Sequence, residues 1–271
     1  MGRLICFTVL ILVVCFPAAA MDFSLADTDG HGNLAPVNPS GQGQMVLMRG
    51  EIVPGDYARL IAFAGNNHLV LANSAFILAS PGGDVTEALR IGQLIKGLYA
   101  SVAVFPSIGR CASACFIIYV SAVRRLSVDR GIGIHRPYLS PERLRGLSLS
   151  EVESLENRAW LDAESYLHQL RVPPTLVEEM FGNASTEIHW LSGREIYQLG
   201  EFAPWFEEFL IARCGLNKDA EMRSLLGARI SADEEASLAA TSACEIQLTR
   251  PEALRNMACA VRQEVSHAPC K

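Results

Sequence analysis

Short apolar runs alternate with helical patterns along residues 45–105. The runs are bounded by Gly, Pro or Asp and predict buried strands: MVLMRGEI, FILASPGGD and SVAVFPSIG. The segments between them place apolar residues at the spacing of one helix face: GDYARLIAFAGNN and VTEALRIGQLIKGLY. Because strands that alternate with helices are typical of βαβ units, the pattern predicts an α/β fold with a parallel sheet.

The rest of the chain continues this alternation and then becomes helical. RRLSVDRGIGIHRP predicts a turn followed by a short buried strand, and residues 150–181 predict one long helix or two shorter ones broken at the double proline. LSGREIYQLGEFA predicts a short helix that ends near Gly200. We therefore expect a domain over residues 45–212 and a small helical appendage with four cysteines over residues 213–271.

The N-terminus has the order of a secretory signal peptide. One basic residue, Arg3, precedes an apolar stretch from Leu4 to Phe16 that has no charged residue, and a group of small residues that ends at Ala20. This order predicts a signal peptide over residues 1–20, with an uncleaved anchor as the alternative. No later segment has the roughly 18 continuous apolar residues of a membrane helix, so no membrane span is expected after cleavage. Residues 21–44 are rich in Gly, Pro, Asn and Asp and predict a flexible leader.

Charge and cysteine content narrow the functional classes. The net charge is −6, and loss of Arg3 with the signal peptide leaves 22 basic and 29 acidic residues, so no nucleic acid partner is expected. Six of the eight cysteines follow the predicted cleavage site. In an oxidising compartment they permit three disulfides, in any of 15 pairings. A zinc site is not expected, because the last four cysteines are widely spaced. These features favour a periplasmic or secreted location.

Three short segments place special residues where a predicted strand stops. They are SPGGD at 80–84, CASAC at 111–115 and IGIHRP at 132–137. In a parallel sheet the carboxyl ends of the strands share one rim, where ligands gather, so we expect Ser113 and His135 to meet there. A neutral histidine beside a serine hydroxyl acts as a general base. The pair therefore indicates Ser113 as the nucleophile and His135 as its base.

Two backbone amides complete a candidate hydrolytic site. A two-glycine turn exposes N–H groups without side-chain obstruction, and the helix that follows Ser113 presents the Ala114 N–H. We expect Gly83 and Ala114 to form an oxyanion hole, with the helix N-terminus adding positive potential. Each element alone has an ordinary structural interpretation: a tight turn, a small packing residue or a histidine at a strand end. Their combination favours the catalytic hypothesis.

The order of these motifs resembles a known family. Over residues 45–203 the chain carries GEI before a helix, SPGGDVTEALRIGQLI, GRCASAC, GIGIHRP and WLSGREIYQLGEF. These motifs resemble the Clp-type serine peptidases of the ClpP/crotonase-like superfamily, and more closely the exported, periplasmic relatives among them. The resemblance implies stacked ββα units that assemble into a homo-oligomer. It also assigns the family's nucleophile and base to Ser113 and His135, and its oxyanion-hole amides to Gly83 and Ala114.

The acid of the family's catalytic triad has no matching residue. Its position, counted back from the Leu-Ser pair of WLSGREI, falls on Ile188. Glu187 and Asp162 are weaker candidates for a carboxylate that orients His135, and a Ser-His dyad is the alternative. The resemblance is therefore incomplete at the residue that fixes the histidine.

Taken together, the motifs favour an exported serine hydrolase, namely a Clp-type peptidase whose partner is a peptide or an unfolded protein. The chemistry is expected to use no cofactor and no metal. Two alternatives remain open. One is a non-catalytic scaffold or binding protein that kept the fold without the acidic residue, and the other is an esterase or thioesterase.

Overall fold

The computed structural model describes most of the chain that follows the predicted signal peptide. The described residues are 20–28, 34–35, 45–138, 144–184, 186–225 and 227–270. The predicted signal peptide, apart from Ala20, lies outside them. None of the described helices is long and apolar enough to cross a membrane.

Strands and helices alternate in the described residues. The strands are β1 (Asp22–Thr28), β2 (Leu34–Ala35), β3 (Met45–Arg49), β4 (Ala75–Ala79), β5 (Ser101–Val104), β6 (Cys111–Ala112), β7 (Arg124–Ser127), β8 (Ile132–Ile134) and β9 (His189–Trp190). The helices are α1 (Asp56–Asn66), α2 (Val85–Gly97), α3 (Ala114–Ser121), α4 (Leu149–Gln169), α5 (Pro174–Gly182), α6 (Gly193–Leu199), α7 (Pro204–Cys214), α8 (Lys218–Leu225) and α9 (Ala232–Ser266). Residues 150–181 thus belong to two helices, and Pro174 begins the second, where its missing N–H removes no helical hydrogen bond.

A six-stranded sheet forms the centre of the fold, in the order β2-β1-β3-β4-β5-β7. The four strands from β3 to β7 in this order run parallel, as the alternation of strands and helices predicts. β4 is buried on both faces: Phe76 and Leu78 pack in the main core, while Ile77 packs with Ala26 and Leu47 on the opposite face. The predicted α/β class with a parallel sheet is confirmed.

The expectation of a flexible leader over residues 21–44 is wrong for its first part. Asp22–Thr28 forms β1, which pairs antiparallel with β3 from Asp22 opposite Arg49 to Ala26 opposite Met45. Met21 and Ala26 are buried. The segment orders because its backbone groups complete the edge of the parallel sheet and its apolar side chains gain a packing surface.

A second, smaller sheet is formed by short segments that follow the strands of the main sheet. β6, β8 and β9 form a three-stranded sheet, with β6 parallel to β8, and single bridges join Ser80 to Cys111 and Ile52 to Gly83. Each main-sheet strand from β3 onward is therefore followed by a short pairing segment and then a helix. These are the stacked ββα units that the ClpP/crotonase-like resemblance implies, and the structure confirms them.

Arg124–Ser127 forms β7, whereas the sequence predicts a turn there. β7 pairs with β5 in parallel register, Ser101 opposite Arg124. The two charged residues that begin this strand, Arg124 and Arg125, interrupt the apolar pattern from which a buried strand is predicted. Arg125 is nevertheless buried, because its guanidinium donates hydrogen bonds to the carbonyls of Leu199 and Phe202 at 2.8 and 2.6 Å, which compensates part of the cost of burying the charge.

The C-terminal region is helical, as predicted, and is fixed by disulfides. α9 packs against α2 and α7, and Asn256 Nδ2 donates to the Gly97 carbonyl at 2.8 Å. The bonds Cys214–Cys244 and Cys259–Cys270 join α9 to α7 and to the end of the chain. With Cys111–Cys115, three disulfides use all six cysteines that follow the predicted signal peptide. The division of the chain at residue 212 stays a prediction.

The contact between α2 and α3 gives a test of the packing that supports the site. A Cβ on Gly92 of α2 would lie 2.5 Å from Ser121 Oγ of α3, and this hydroxyl is buried and hydrogen-bonded to the Ile117 carbonyl and the Tyr166 hydroxyl. We expect Gly92→Ala to lower the free energy of unfolding by about 1–3 kcal/mol through overpacking, measured by urea denaturation.

Gly65→Ala on α1 is the matched control for this substitution. A Cβ there meets nothing within 4 Å, so the variant should match or exceed wild-type stability, by up to about 1 kcal/mol. Equal stability of the Gly92→Ala and Gly65→Ala variants would contradict the close helix contact.

Candidate functional site

Ser113 lies in a sharp turn between β6 and α3. It is the residue before the helix, with φ 57° and ψ −129°, a conformation that side chains with a Cβ rarely adopt. Such a backbone is held by its surroundings at a cost of about 1–3 kcal/mol and is concentrated at functional sites. One restraint is the hydrogen bond from the Ser113 N–H to the Gly133 carbonyl at 3.0 Å. The Ser113 side chain makes no capping bond to α3, so the hydroxyl is not committed to the helix.

The turn opposite Ser113 requires a glycine at position 82, because a side chain there would clash with the serine turn. A Cβ on Gly82 would be 2.6 Å from Ser113 Cβ and 2.7 Å from the Ala112 carbonyl oxygen. Gly82 also has φ 101°, in a region that favours glycine. The sequence pointed to the two-glycine turn but assigned a role only to Gly83. In the structure Gly82 permits the close approach of the turn to the nucleophile.

Gly83 is held by Ile52 in a way that leaves its own N–H out of the pairing. The Ile52 N–H donates to the Gly82 carbonyl at 2.7 Å, and the Asp84 N–H donates to the Ile52 carbonyl at 2.8 Å. These two hydrogen bonds use the Gly82 carbonyl and the Asp84 N–H, and neither uses the Gly83 N–H. Ala114 is the first residue of α3, and the first N–H groups of a helix lack an acceptor within it. Both amides expected in the oxyanion hole thus occupy positions suited to an outside acceptor.

The pairing of β6 with β8 places Ser113 and His135 at the ends of neighbouring strands. The parallel register places Cys111 opposite Ile132 and Ala112 opposite Gly133. Ser113 and His135 are the residues that directly follow these two strands, and neighbouring strands lie about 4.8 Å apart. Both residues are buried, with 7% and 4% of their surface exposed. Ser113 and His135 are thus buried residues that follow the ends of two paired strands, and their action as a pair stays a prediction.

A backbone carbonyl orients the imidazole of His135. Its Nδ1 lies 2.9 Å from the Arg136 carbonyl oxygen. Because a carbonyl oxygen only accepts hydrogen bonds, this contact places the proton on Nδ1 and leaves Nε2 as the basic nitrogen. The Tyr138 ring lies against the imidazole, with 6.0 Å between ring centroids. The histidine has the tautomer that a general base needs.

The two carboxylates considered for orienting His135 are not placed for that role. Asp162 lies on an exposed face of α4, and Glu187 is exposed in the segment before β9. β9 runs antiparallel to β8 with Ile134 opposite His189, so the next position along this register puts Ile188 opposite His135. The position that the resemblance assigns to the acid therefore lies opposite His135 in the register, and its residue, Ile188, is apolar. A backbone carbonyl has no signal in the sequence, so sequence reasoning missed it.

A disulfide closes a short loop around the nucleophile. Cys111 and Cys115 are bonded across four residues, and both are fully buried. One belongs to β6 and the other to the first turn of α3, so the bond spans the strained turn at Ser113. Neither cysteine is a free thiol.

His189 lies in a small polar cluster behind β9. Its Nδ1 is 3.2 Å from Glu179 Oε1, and its Nε2 is 2.9 Å from Glu195 Oε1. Partial burial raises the pKa of Glu195, but hydrogen bonds from Ser192 and His189 hold that pKa below its usual value. The three side chains are close enough to share a metal ion. Each ring nitrogen faces a different carboxylate, however, so the observed arrangement is that of a bridge between α5 and α6.

A cleft with a volume of 590 Å³ adjoins the nucleophile turn. Its lining includes Ser80 and Pro81 from the glycine turn, Ala112 from β6, and Ile188 and Trp190 from the β9 segment. Ala112 directly precedes Ser113. The cleft therefore lies beside the turn that carries Ser113.

Comparisons with known proteins add similarities of fold. No family model and no curated protein matches the sequence. The 1510-N membrane protease specific for a stomatin homolog from Pyrococcus horikoshii is 19% identical at a TM-score of 0.37, covering 58% of this chain and 69% of that one. ClpP1 from Listeria monocytogenes is 19% identical at a TM-score of 0.36, with 58% and 88% covered. An enoyl-CoA hydratase from Mycobacterium smegmatis is 13% identical at 0.34, with 83% of each chain covered. Similarities of this size assign no activity to this chain.

The contact between Gly82 and Ser113 predicts a specific loss of reactivity. Gly82→Ala would place a Cβ in contact with the serine, so we expect its labelling by a fluorophosphonate to slow at least 10-fold. The control is Gly55→Ala, where φ is 94° but a Cβ meets nothing within 4 Å. The control carries similar backbone strain without the contact, so it should label at nearly the wild-type rate. Equal slowing of both variants would contradict a local role for Gly82.

The disulfide around Ser113 predicts a second effect. The Cys111→Ala/Cys115→Ala variant frees the turn, so we expect several-fold slower fluorophosphonate labelling. The Cys259→Ala/Cys270→Ala variant removes a disulfide at the end of α9 and should keep the wild-type rate. Mass spectrometry of the intact protein over time measures both. A rate for the first variant that equals wild type would show that the bond does not position the serine.

Proposed function

We propose that this chain is an exported serine hydrolase of the Clp type that cleaves peptide bonds in a peptide or an unfolded protein. The observation that carries the proposal is the parallel pairing of β6 with β8, which puts Ser113 and His135 at neighbouring strand ends. The close approach of Gly82 to the serine and the free tautomeric nitrogen of His135 support it.

The proposed reaction proceeds through an acyl-enzyme. His135 Nε2 takes the proton from Ser113 Oγ while that oxygen attacks the carbonyl carbon of the scissile bond. The oxyanion that forms accepts hydrogen bonds from the N–H groups of Gly83 and Ala114. His135 then gives the proton to the leaving amine, and the C–N bond breaks. A water molecule, deprotonated by the same imidazole, releases the acid product and restores the serine. No cofactor or metal enters these steps.

The Arg136 carbonyl takes the place of the triad acid in this proposal. It fixes the ring and the tautomer of His135, as a carboxylate would. A neutral carbonyl stabilises the imidazolium less than a carboxylate does, because it carries only a partial negative charge. We therefore expect a functional but slow base, and a turnover below that of a hydrolase with a complete triad.

Location and assembly follow from other features. Three disulfides are compatible with an oxidising compartment, and the N-terminal pattern supports export to the periplasm or beyond. Assembly into a homo-oligomer rests on the family resemblance of the motifs.

A non-catalytic scaffold is the second candidate function. It is favoured by the apolar Ile188 opposite His135 and by the exposure of Glu187 and Asp162. Under this alternative, Ser113 would be no more reactive than other serines of the protein.

Fluorophosphonate labelling of the mature protein separates the two candidates. We expect one adduct per chain, mapped by peptide mass spectrometry to Ser113. Labelling should be absent in Ser113→Ala and at least about 100-fold slower in His135→Ala, the lower end of what a general base contributes. No labelling above the Ser113→Ala background, in protein with a wild-type unfolding transition, would support the scaffold. Labelling with cleavage of acyl esters but not of peptides would identify an esterase.

A further inference from the structure

The cleft beside Ser113 owes its shape to a glycine in the middle strand of the three-stranded sheet. Ala112, Gly133 and Trp190 are register partners on β6, β8 and β9, so their side-chain positions share one face of that sheet. A Cβ on Gly133 would lie 2.6 Å from Ile188 Cγ2 and 3.0 Å from Trp190 Cε3. Because Gly133 has no side chain, Ile188 and Trp190 pack directly over β8, the middle strand, and form an apolar wall of the cleft.

Two arginines from distant parts of the chain reach this cleft. Arg49 ends β3, and its Nη2 donates to the Ile108 carbonyl at 3.3 Å. The Arg110 guanidinium lies over the Trp190 ring, 4.6 Å from its centroid. The contact with the aromatic face favours this position of the cation while leaving its hydrogen-bond donors free. Both arginines line the cleft, and both are exposed to solvent.

Neither arginine forms an ion pair within the described residues, and Asp22, which lies opposite Arg49 in the β1–β3 register, is not part of the cleft lining. The cleft lining contains no carboxylate. Other arginines of the described chain have carboxylate partners, such as Arg90 with Glu264 and Arg124 with Glu201, whereas neither Arg49 nor Arg110 has a described carboxylate within 4.0 Å. A protein with a net charge of −6 therefore presents a positive, partly apolar cleft next to its candidate nucleophile.

We propose that this cleft binds a carboxylate of the substrate, so that cleavage is directed to a bond beside an acidic side chain or beside the carboxyl end of a peptide. This inference rests on the proposed hydrolase function and adds its substrate class. A guanidinium matches the two oxygens of a carboxylate with paired N–H donors. The apolar wall of Ile188 and Trp190 accommodates the methylene groups that carry an acidic side chain. A lysine or arginine of the substrate would meet like charges and be excluded.

The first test compares matched fluorogenic peptides that differ in one side chain beside the scissile bond. The pair Glu and Gln isolates a side-chain carboxylate, and a second pair with a free or amidated C-terminus isolates the terminal carboxylate. For the wild type we expect kcat/KM to be about 10-fold higher for the charged member of at least one pair, from charge-assisted hydrogen bonds. The pair that shows the preference identifies whether the cleft binds a side-chain carboxylate or the terminal carboxylate.

Arginine variants assign the preference to the cleft. In Arg49→Gln/Arg110→Gln the charged and neutral peptides should be cleaved at nearly equal rates, because the charge that favours the carboxylate is removed. Arg250→Gln on α9 removes the same charge from an exposed position outside the cleft and should keep the preference. Equal cleavage of both members of both pairs by the wild type, or a preference that survives in the double variant, would overturn the proposal.

A binding measurement separates this proposal from the hydrolase proposal. Ser113→Ala removes the nucleophile and keeps the cleft, so calorimetric titration of this variant with the same peptides measures recognition alone. Tighter binding of the charged peptide, lost when the two arginine substitutions are added, supports the carboxylate site even if no wild-type cleavage is found. Equal binding of charged and neutral peptides to Ser113→Ala refutes the site even if Ser113 proves to be a nucleophile.

Discussion

The parallel pairing of β6 with β8 is the interaction on which the candidate site depends. Both strands are very short, so neither is stable except as part of the layered ββα units around it. Their register puts Ser113 and His135 at adjacent strand ends, and the hydrogen bond from the Ser113 N–H to the Gly133 carbonyl continues that pairing into the turn. A shift of one residue in this register would change which residue of the β8 segment lies opposite Ser113.

Close packing then holds the serine turn in a conformation that it would not keep alone. Gly82 contacts the turn from the side of β4, and the Cys111–Cys115 bond spans it from β6 to α3. The strained backbone at Ser113 is therefore restrained on two sides. The imidazole of His135 is held by one backbone carbonyl, that of Arg136. In the proposed reaction this carbonyl takes the place of a carboxylate, so the proposal combines a firmly held serine with a modestly activated base.

The sequence was most informative where local patterns carry the structure. Helix spacing and strand-end motifs predicted the parallel units and the glycine turn, and they placed Ser113 and His135 at strand ends, where the structure has them. It was misleading at β1, where the strand DFSLADT precedes a Gly- and Pro-rich stretch, and at β7, where Arg125 is buried by backbone acceptors that no pattern reveals. The disulfide pairing and the Arg136 carbonyl depend on tertiary placement. The placement of Arg49 and Arg110 at the same cleft, although they are 61 residues apart in the sequence, also depends on the tertiary structure.

The most direct measurement of the central claim is an experimental structure of the fluorophosphonate adduct. The account predicts phosphorus bonded to Ser113 Oγ, with the phosphonyl oxygen about 2.7–3.1 Å from the N–H nitrogens of both Gly83 and Ala114. It also predicts His135 Nε2 turned toward the same oxygen atom of the serine. An adduct on another residue, or a phosphonyl oxygen that points away from both amides, would contradict the proposed site.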